Sequence, residues 1–279
     1  MRGAPSDEPN IEALTQCLEV TEYALMASLY IGFLAGRFDG VLGGWVPGAR
    51  PFRVKLIRVT MQGNVIPVIV AIDGPGGSGK STVARAVARR LGYTYIDTGA
   101  MYRSVACWAI RLGMDIEDMQ KMEALARESH VEFVDGRVLL NDEDVTREIR
   151  EPAVSEAASK VAAYPGVRKA MREEQRRIGS TGPAVMEGRD IGTVVFPEAR
   201  VKIFLDASPE ARARRRAVEL GAPVEQVAKE LAGRDSRDRT RAEAPLMQAP
   251  DAEYVDTTGL STEEVEEAVL KIVRGRTSN

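Results

Sequence analysis

The stretch from Gly74 to Ser81 has the residue types and the spacing that phosphate binding requires. It reads Gly-Pro-Gly-Gly-Ser-Gly-Lys-Ser and matches the pattern G-x-x-x-x-G-K-[ST]. Glycine permits the backbone dihedral angles that turn N–H groups inward onto phosphate oxygens. We expect Lys80, on a ligand-facing surface, to reach the β- and γ-phosphates, and the Ser81 hydroxyl to bind magnesium. The predicted triphosphate-binding residues are Gly74, Pro75, Gly76, Gly77, Ser78, Gly79, Lys80, Ser81 and Thr82.

This pattern does not by itself separate a kinase from a GTPase or a motor ATPase. The chain contains no Asn-Lys-x-Asp stretch, the usual guanine-reading sequence, which counts against a GTPase. A kinase whose acceptor is an anion needs positive charge around both phosphates, because they repel each other. Arginine suits this task because its planar guanidinium makes bidentate contacts with phosphate. Arginines recur in or beside polar segments at Arg103, Arg168, Arg189, Arg234, Arg237, Arg239 and Arg241, and some of them must be surface charges.

Short apolar runs alternate with amphipathic helical patterns from Val65 onward. The first run, "PVIVAI", leads through the glycine-rich loop into the helical pattern "KSTVARAVARRLG". Further strand patterns are "TYI", "AVME", "VKIFLD" and "EYVDT"; Ser208 with Pro209, and Ser261 with Glu264, predict helix starts after the last two. The alternation predicts an α/β P-loop NTPase fold, a parallel sheet with helices on both faces. The polar loops "DGPGGSGKS", "DTGAMYR" and "EGRD" should share its carboxyl edge, where such sheets bind ligands.

Two segments interrupt this alternation. "VEFVDGRVLLND", within residues 130–150, predicts a hairpin that turns at Asp135 and Gly136 and forms a small insert. "RDSRDRTR", at 234–241, is densely charged and has no apolar face, which is typical of a solvated helix. His130 precedes the hairpin without evident partners, so we interpret it as a structural residue.

Composition restricts the classes of function. The chain has 279 residues, 44% of them hydrophobic, and its formal net charge of -3 favours neither a nucleic-acid partner nor a membrane surface. Two cysteines fit a reducing cytoplasm, and a single histidine argues against a His-based metal site or a Ser-His-Asp triad. The apolar run in the first 60 residues is too short to span a membrane, and no secretory signal is evident. We interpret residues 1–62 as a dispensable extension, or alternatively a small docking segment, and 63–279 as the functional domain.

Six motifs between Val65 and the C-terminal helix carry a resemblance to a known family. They are "DGPGGSGKST", "DTGAMYR", "ASKVAAYPGVR", "EGRDIGTVVFP", "KIFLDAS" and "RDSRDRTRAEAPL", and in order and spacing they resemble bacterial cytidylate kinases. The resemblance implies a monomeric, cytoplasmic kinase that transfers the γ-phosphoryl group of ATP, with Mg²⁺, to CMP or dCMP. It also implies a monophosphate-binding region with an insert, at about 115–160, and a short lid at about 234–241.

The resemblance implies roles for individual residues. The base would be met by Ser159, Arg168 and Asp190, the sugar by Tyr102, Arg234 and Asp238, and the phosphates by Arg103, Arg189, Arg237 and Arg241; Thr98 completes the CMP-binding set. The implied catalytic residues are Lys80, Arg189, Arg237 and Arg241. Two positions depart from the family pattern: Thr98 stands where serine is usual, and Glu187 where aspartate is usual. Both substitutions keep the chemical group and change only its length or branching.

Alternatives remain open. Another small-molecule kinase of the same fold would accept UMP, AMP or a metabolite alcohol. A nucleotide-sensing or nucleic-acid-binding module would use the arginines of "EARARRRAV", Glu210–Val218. We interpret those arginines instead as the solvated face of a helix whose Ala211, Val218 and Leu220 point inward. Asp190 has a second interpretation too, in which it only braces Arg189 through a salt bridge.

Overall fold

The computed structural model describes residues 68–134 and 136–277, together with the backbone of two short strands nearer the N-terminus. The chain divides into two compact units, Met1–Val65 and Ile66–Asn279. In the first unit, β1 (Leu42–Gly44) pairs antiparallel with β2 (Phe52–Val54). The rest of the predicted N-terminal extension lies outside the described residues, and its boundary at residue 62 stays a prediction.

The second unit alternates strands and helices along the chain. None of the helices in its described residues is long and apolar enough to cross a membrane. In chain order the elements are β3 (Ile69–Asp73), α1 (Lys80–Leu91), β4 (Thr94–Asp97), α2 (Thr98–Arg111), α3 (Met119–Glu128), β5 (Val131–Val134), β6 (Arg137–Leu140), β7 (Glu143–Asp144), a 3₁₀ turn (Glu148–Arg150), α4 (Pro152–Val161), α5 (Pro165–Gly179), β8 (Ala184–Gly188), a π-helical turn (Ile191–Val195), β9 (Val201–Asp206), α6 (Pro209–Leu220), α7 (Val224–Thr240), β10 (Glu253–Asp256) and α8 (Thr262–Thr277).

A five-stranded parallel sheet forms the centre of this unit, in the order β10-β9-β3-β8-β4. Every residue of β3 is buried, because helices cover both faces, which explains its continuous apolar sequence. On one face, apolar side chains of α1 and α8 pack against Val70 and Ile72. On the other face, Ile178 of α5 and Ile191 of the π-helical turn pack around Ile69. The predicted fold class is confirmed, and the three polar loops lie at one edge of the sheet.

The predicted hairpin and helix starts are present. β5 pairs antiparallel with β6, and Gly136 between them has a φ of 77°, while Asp135 lies outside the described residues. The hairpin packs with α2, α3, α4 and α5 into an apolar core separate from the sheet. Ser208 accepts a hydrogen bond from the N–H of Ala211, and Ser261 and Glu264 form the two reciprocal bonds of a capping box.

The prediction that Val218 and Leu220 of α6 point inward is wrong, and Ala211 is half-buried. Val218 is 84% exposed and Leu220 is 46% exposed, whereas Arg212, Ala213 and Ala217 are buried. The reason is that α6 packs closely against α7 and the glycine-rich loop, and this contact places small alanines and one arginine on the buried side. The arginines of this helix are therefore not one uniformly solvated face.

Candidate active site

The glycine-rich loop joins β3 to α1 at the carboxyl edge of the sheet, as predicted. Gly74 has a φ of 149°, and a Cβ atom there would lie 1.9 Å from the carbonyl oxygen of Leu205, so no side chain fits. Gly79, with a φ of 88°, is the N-cap of α1. The first N–H groups of an α-helix have no partner within the helix, and together with the helix dipole they favour an anion. The loop geometry therefore suits phosphate.

Lys80 lies inside the loop. Its Nζ donates to the carbonyl oxygen of Pro75 at 2.6 Å and to Oγ of Ser78 at 3.3 Å. The residue is 5% exposed, so the expectation of a surface position is wrong: the loop closes around the side chain. Burial, and secondly the charge of Arg189, lower the pKa of Lys80. A triphosphate bound in the loop would bring negative charge that favours the protonated amine.

Ser81, Glu187 and Tyr95 form a hydrogen-bonded group beside the loop. Oγ of Ser81 donates to Oε2 of Glu187 at 2.9 Å, and the Tyr95 hydroxyl donates to Oε1. Burial, and then the charge of Asp97, raise the pKa of Glu187. Across the described ranges, no three His, Cys, Asp or Glu side chains cluster so as to hold a metal ion. The Ser81 hydroxyl and the Glu187 carboxylate beside it are oxygen donors, the ligand type that Mg²⁺ prefers.

A second cleft lies at the same edge of the sheet, among the ends of β4 and β8 and helices α2, α4, α5 and α7. It gathers every residue that the resemblance assigned to CMP: Thr98, Tyr102, Arg103, Ser159, Arg168, Arg189, Asp190, Arg234, Asp238 and Arg241. Its wall also includes residues to which the sequence analysis gave no role, namely Gly99, Ser155, Ala158, Ala162 and Gly188, of which only Ser155 lies outside the six motifs. Their small size leaves room for a ligand.

A buried ion pair lies in this cleft. Nη2 of Arg168 is 2.7 Å from Oδ2 of Asp190, and the two residues are 3% and 8% exposed. The Arg168 guanidinium also lies over the ring of Tyr102, 5.6 Å from its centroid. Nε of Arg168 and Nη2 of Arg241 are buried without a hydrogen-bond partner in the part of the chain that the structure describes. Buried donors without partners, beside a carboxylate, fit a ligand edge that carries both acceptors and a donor.

Asp190 does not brace Arg189. Nε of Arg189 lies 3.0 Å from Oδ2 of Asp238, whereas Asp190 contacts Arg168 and, at 3.7 Å, Arg241. The second interpretation of Asp190, as a salt-bridge partner of Arg189, is therefore wrong. Adjacency in sequence suggested that Asp190 and Arg189 form a pair. Side chains of consecutive residues at the end of a strand point in different directions, however, so the two residues meet different partners.

Positive charge collects between the cleft and the glycine-rich loop. Arg103 and Arg189 each have a carboxylate partner. Within residues 68–134 and 136–277, by contrast, no carboxylate forms an ion pair with Lys80 or Arg234. Burial, and then the charge of Arg189, lower the pKa of Arg234 to about 10. Cations that repel each other in a partly buried site favour a bound anion.

Two predicted phosphate-binding residues, Arg237 and Arg241, lie at the C-terminal end of α7 and have protein partners there. Arg237 is exposed and does not line the cleft; its Nη2 donates to Oγ of Ser159 at 3.1 Å. Nε of Arg241 donates to the carbonyl oxygen of Ala244 at 2.6 Å, and its guanidinium lies beside Asp190. Arg237 therefore connects α7 to α4 in this structure, and the phosphate contacts of both arginines stay predictions.

Asp73, at the carboxyl end of β3, is a site residue that the sequence patterns missed. Its two carboxylate oxygens accept from the N–H groups of Ile191, at 2.9 Å, and Gly192, at 2.8 Å. These bonds fix the segment that directly follows Asp190. Desolvation by burial raises the pKa of Asp73 to about 6. The sequence could have indicated Asp73, because it is a polar residue at the end of a buried strand, directly before the glycine-rich loop.

We expect Asp73 to make stability decrease as pH rises through the mildly acidic range. Its pKa is about 6 in the folded chain against an ordinary value of 3.8, so the folded state binds the proton more tightly. This stabilisation is fully present below about pH 4 and is lost as pH rises through about 6. As pH rises through this range, the free energy of unfolding of the wild type, measured relative to that of Asp73→Asn, should fall by up to about 3 kcal/mol. Urea unfolding at several pH values measures this, and a pH-independent difference would contradict it.

The parallel sheet and the glycine-rich loop at its carboxyl edge define the class of P-loop kinases. The family model described as Cytidylate kinase matches residues 70–275. The chain is 58% identical over 219 residues to the cytidylate kinase of Solibacter usitatus (strain Ellin6076), covering 76% of this chain and 94% of that one. It is 50% identical over 218 residues to the cytidylate kinase of Pelotomaculum thermopropionicum, covering 74% and 96%. A solved shikimate kinase from Bacteroides thetaiotaomicron is 14% identical, with a TM-score of 0.40 over 76% of this chain and 99% of that one.

The chain belongs to the cytidylate kinase family. The match spans the described second unit and leaves out the N-terminal extension. This confirms the resemblance found in the sequence motifs.

Proposed function

We propose that this chain transfers the γ-phosphoryl group of ATP to CMP or dCMP, giving ADP and CDP or dCDP, as a step in pyrimidine nucleotide metabolism. The observation that carries the proposal is a single cleft that holds the buried Arg168–Asp190 pair and the cationic residues next to the glycine-rich loop. A nucleoside monophosphate has matching parts, a base with a hydrogen-bonding edge and an anionic phosphate. The names of the relatives at 58% and 50% identity support the same conclusion.

On the donor side, residues 74–82 hold the triphosphate, with Lys80 on the β- and γ-phosphates and Ser81 toward the metal. Magnesium bound with ATP neutralises negative charge on the phosphates when present. Glu187 orients Ser81, because it accepts the hydroxyl hydrogen and leaves the oxygen lone pairs free. The substitution of glutamate for the usual aspartate thus keeps a carboxylate within reach of Ser81.

In the transfer step, an oxygen of the acceptor phosphate forms a bond to the γ-phosphorus. The bond from that phosphorus to the β–γ bridging oxygen breaks, and ADP leaves with the electron pair. No covalent enzyme intermediate is needed, since positioning and charge neutralisation perform the catalysis. We assign this neutralisation to Lys80, Arg189, Arg237 and Arg241, with Arg103 on the acceptor phosphate. Arg237 must leave Ser159 to take part, so its role requires movement of the lid.

A panel of reactions tests the proposed function: ATP with CMP, dCMP, UMP, AMP or GMP, followed by ADP release. CMP and dCMP should give the highest specificity constants. A kinase for a metabolite alcohol would phosphorylate none of the five. Binding of ATP and CMP without turnover would favour a sensing module instead. Either of these last two results would overturn the proposal.

We expect residues 234–241 to exchange their amide hydrogens more slowly when both nucleotides are bound. As a lid they would close over the phosphates and exclude water that otherwise hydrolyses ATP. Hydrogen exchange with saturating ADP and CMP measures this, and α8, which contributes no residue to the cleft, serves as the internal control. Unchanged protection of 234–241 at saturation would mean a static segment and no lid.

A cytoplasmic, monomeric enzyme without a nucleic-acid partner completes the proposal. Cys107 is a buried free thiol, which fits a reducing compartment. Arg215 donates to Thr257 and Arg216 pairs with Glu219, so these helix α6 arginines have partners within the chain. Light scattering tests the oligomeric state, and cell fractionation tests the location.

A further inference from the structure

Arg212 connects the glycine-rich loop to helix α7. It is 6% exposed, and its Nη1 donates both to the carbonyl oxygen of Gly76, at 3.0 Å, and to Oδ2 of Asp235. Its Nε donates to the carbonyl oxygen of Ala207 at 3.1 Å, which fixes the guanidinium to the end of β9. The same nitrogen of Arg212 therefore binds both the peptide carbonyl of Gly76 in the loop and the carboxylate of Asp235 in α7.

Helix α7 turns one continuous face toward the loop and the cleft. Leu231, Asp235 and Asp238 follow one another at intervals of about one turn. A Cβ atom on Gly76 would lie 3.0 Å from Leu231, so this helix touches the loop directly. Asp238 binds Arg189 at the other end of the face. The position of this face relative to the loop therefore decides where Asp238 and its neighbour Arg234 lie.

Asp235 depends on Arg212 for its charge compensation. The residue is 7% exposed, and its Oδ1 is buried without a hydrogen-bond partner in the described part of the chain. A buried carboxylate with one unsatisfied oxygen is unfavourable, so a role in stability alone explains it poorly. The charged run at 234–241 is accordingly not fully solvated, contrary to the expectation from its composition.

We propose that Arg212 and Asp235 are a positioning pair that couples occupancy of the glycine-rich loop to the position of α7. A triphosphate in the loop fixes the loop peptides, including that of Gly76, through their N–H groups. Because Gly76 and Asp235 share one guanidinium nitrogen, the fixed peptide holds Asp235, and Asp235 sets the rotation of α7. Arg234 and Asp238 are then placed for the acceptor before it binds. This inference rests on the proposed function for the role of Arg234.

The test compares Asp235→Asn with Glu230→Gln, a matched loss of one carboxylate on the exposed side of the same helix. A non-hydrolysable ATP analogue with magnesium, without CMP, is the probe. In the wild-type chain and in Glu230→Gln, the analogue should slow hydrogen exchange in both residues 74–81 and 224–240. In Asp235→Asn it should slow exchange only in 74–81. The turnover number should fall by about 10- to 100-fold and KM for CMP should rise, because Arg234 and Asp238 are no longer placed before CMP binds.

Equal protection of α7 in Asp235→Asn and Glu230→Gln would overturn the coupling. If Asp235→Asn does not fold, Arg212→Lys decides, because lysine keeps a charge for Asp235 but lacks the planar fork that serves two acceptors. In that variant, analogue-dependent protection of α7 that matches the wild type would contradict the proposal. The exchange measurement needs no acceptor, so it stays informative even if the monophosphate panel disproves the proposed reaction.

Discussion

Replacement of Lys80 by alanine should lower the turnover number by about 100-fold or more, while the chain remains folded. In the structure, the Lys80 amine is enclosed by the loop and bound to the Pro75 carbonyl and Ser78. Phosphates in the loop offer the amine a stronger, charged partner, and charge that develops on the transferred group increases this attraction. Alanine removes the cation that would face this developing charge. Rapid-quench or coupled measurement of ADP release gives the effect.

Folding of the variant is the control, because the Lys80 amine also donates hydrogen bonds within the glycine-rich loop. Thermal unfolding of Lys80→Ala should remain cooperative, and Lys80→Arg, which keeps the charge with a different shape, should retain an intermediate rate. A folded Lys80→Ala chain with nearly wild-type turnover would remove Lys80 from the mechanism.

The second large effect concerns the choice of base. Cytosine presents an N4 amino donor beside the N3 and O2 acceptors, whereas uracil presents an O4 acceptor beside an N3–H donor. Asp190 can accept from the amino group, and Arg168 can donate to N3 and O2. Uracil would leave these buried groups unpaired at about 1–3 kcal/mol each. CMP should therefore be preferred over UMP by roughly 10²–10⁴ in specificity constant.

Substitutions in the Arg168–Asp190 ion pair should reduce the preference for CMP over UMP. Asp190→Asn replaces one carboxylate oxygen with a donor for O4, so CMP should lose far more activity than UMP. Arg168→Met should act in the same direction, with a larger loss of stability because it leaves the buried Asp190 with only its longer contact to Arg241. Arg172→Met, on the same helix but paired with Glu243 at 3.6 Å, is the matched control. Equal losses for both substrates would mean that the pair only supports the fold.

The local parts of this site could be predicted from sequence because each is encoded by a short segment. Gly74 and Gly79 have the backbone conformations that only glycine adopts readily, and Lys80 starts the helix that follows. The strands and helix caps follow from apolar runs and from residues such as Ser208 and Ser261. The resemblance added the acceptor residues, which the structure gathers in one cleft.

The partners of these residues could not be predicted, because they depend on packing between distant segments. Glu187 meets Tyr95 through the pairing of β8 with β4, where Asp97 lies opposite Glu187. Arg212 is buried because α6 lies against the glycine-rich loop, and its helical pattern alone favoured Val218 as the buried residue. Tertiary contact overrode the apolar pattern here, which is the usual limit of periodicity.

The most direct test of the base-reading account is a competition between CMP and UMP. With ATP and equal concentrations of both acceptors in one reaction, the initial ratio of CDP to UDP equals the ratio of the two specificity constants. We predict roughly 10²–10⁴ times more CDP for the wild-type chain, and a clearly smaller ratio for Asp190→Asn. Comparable amounts of CDP and UDP from the wild type, or the same ratio in both proteins, would contradict the assignment of the cleft to a cytosine nucleotide.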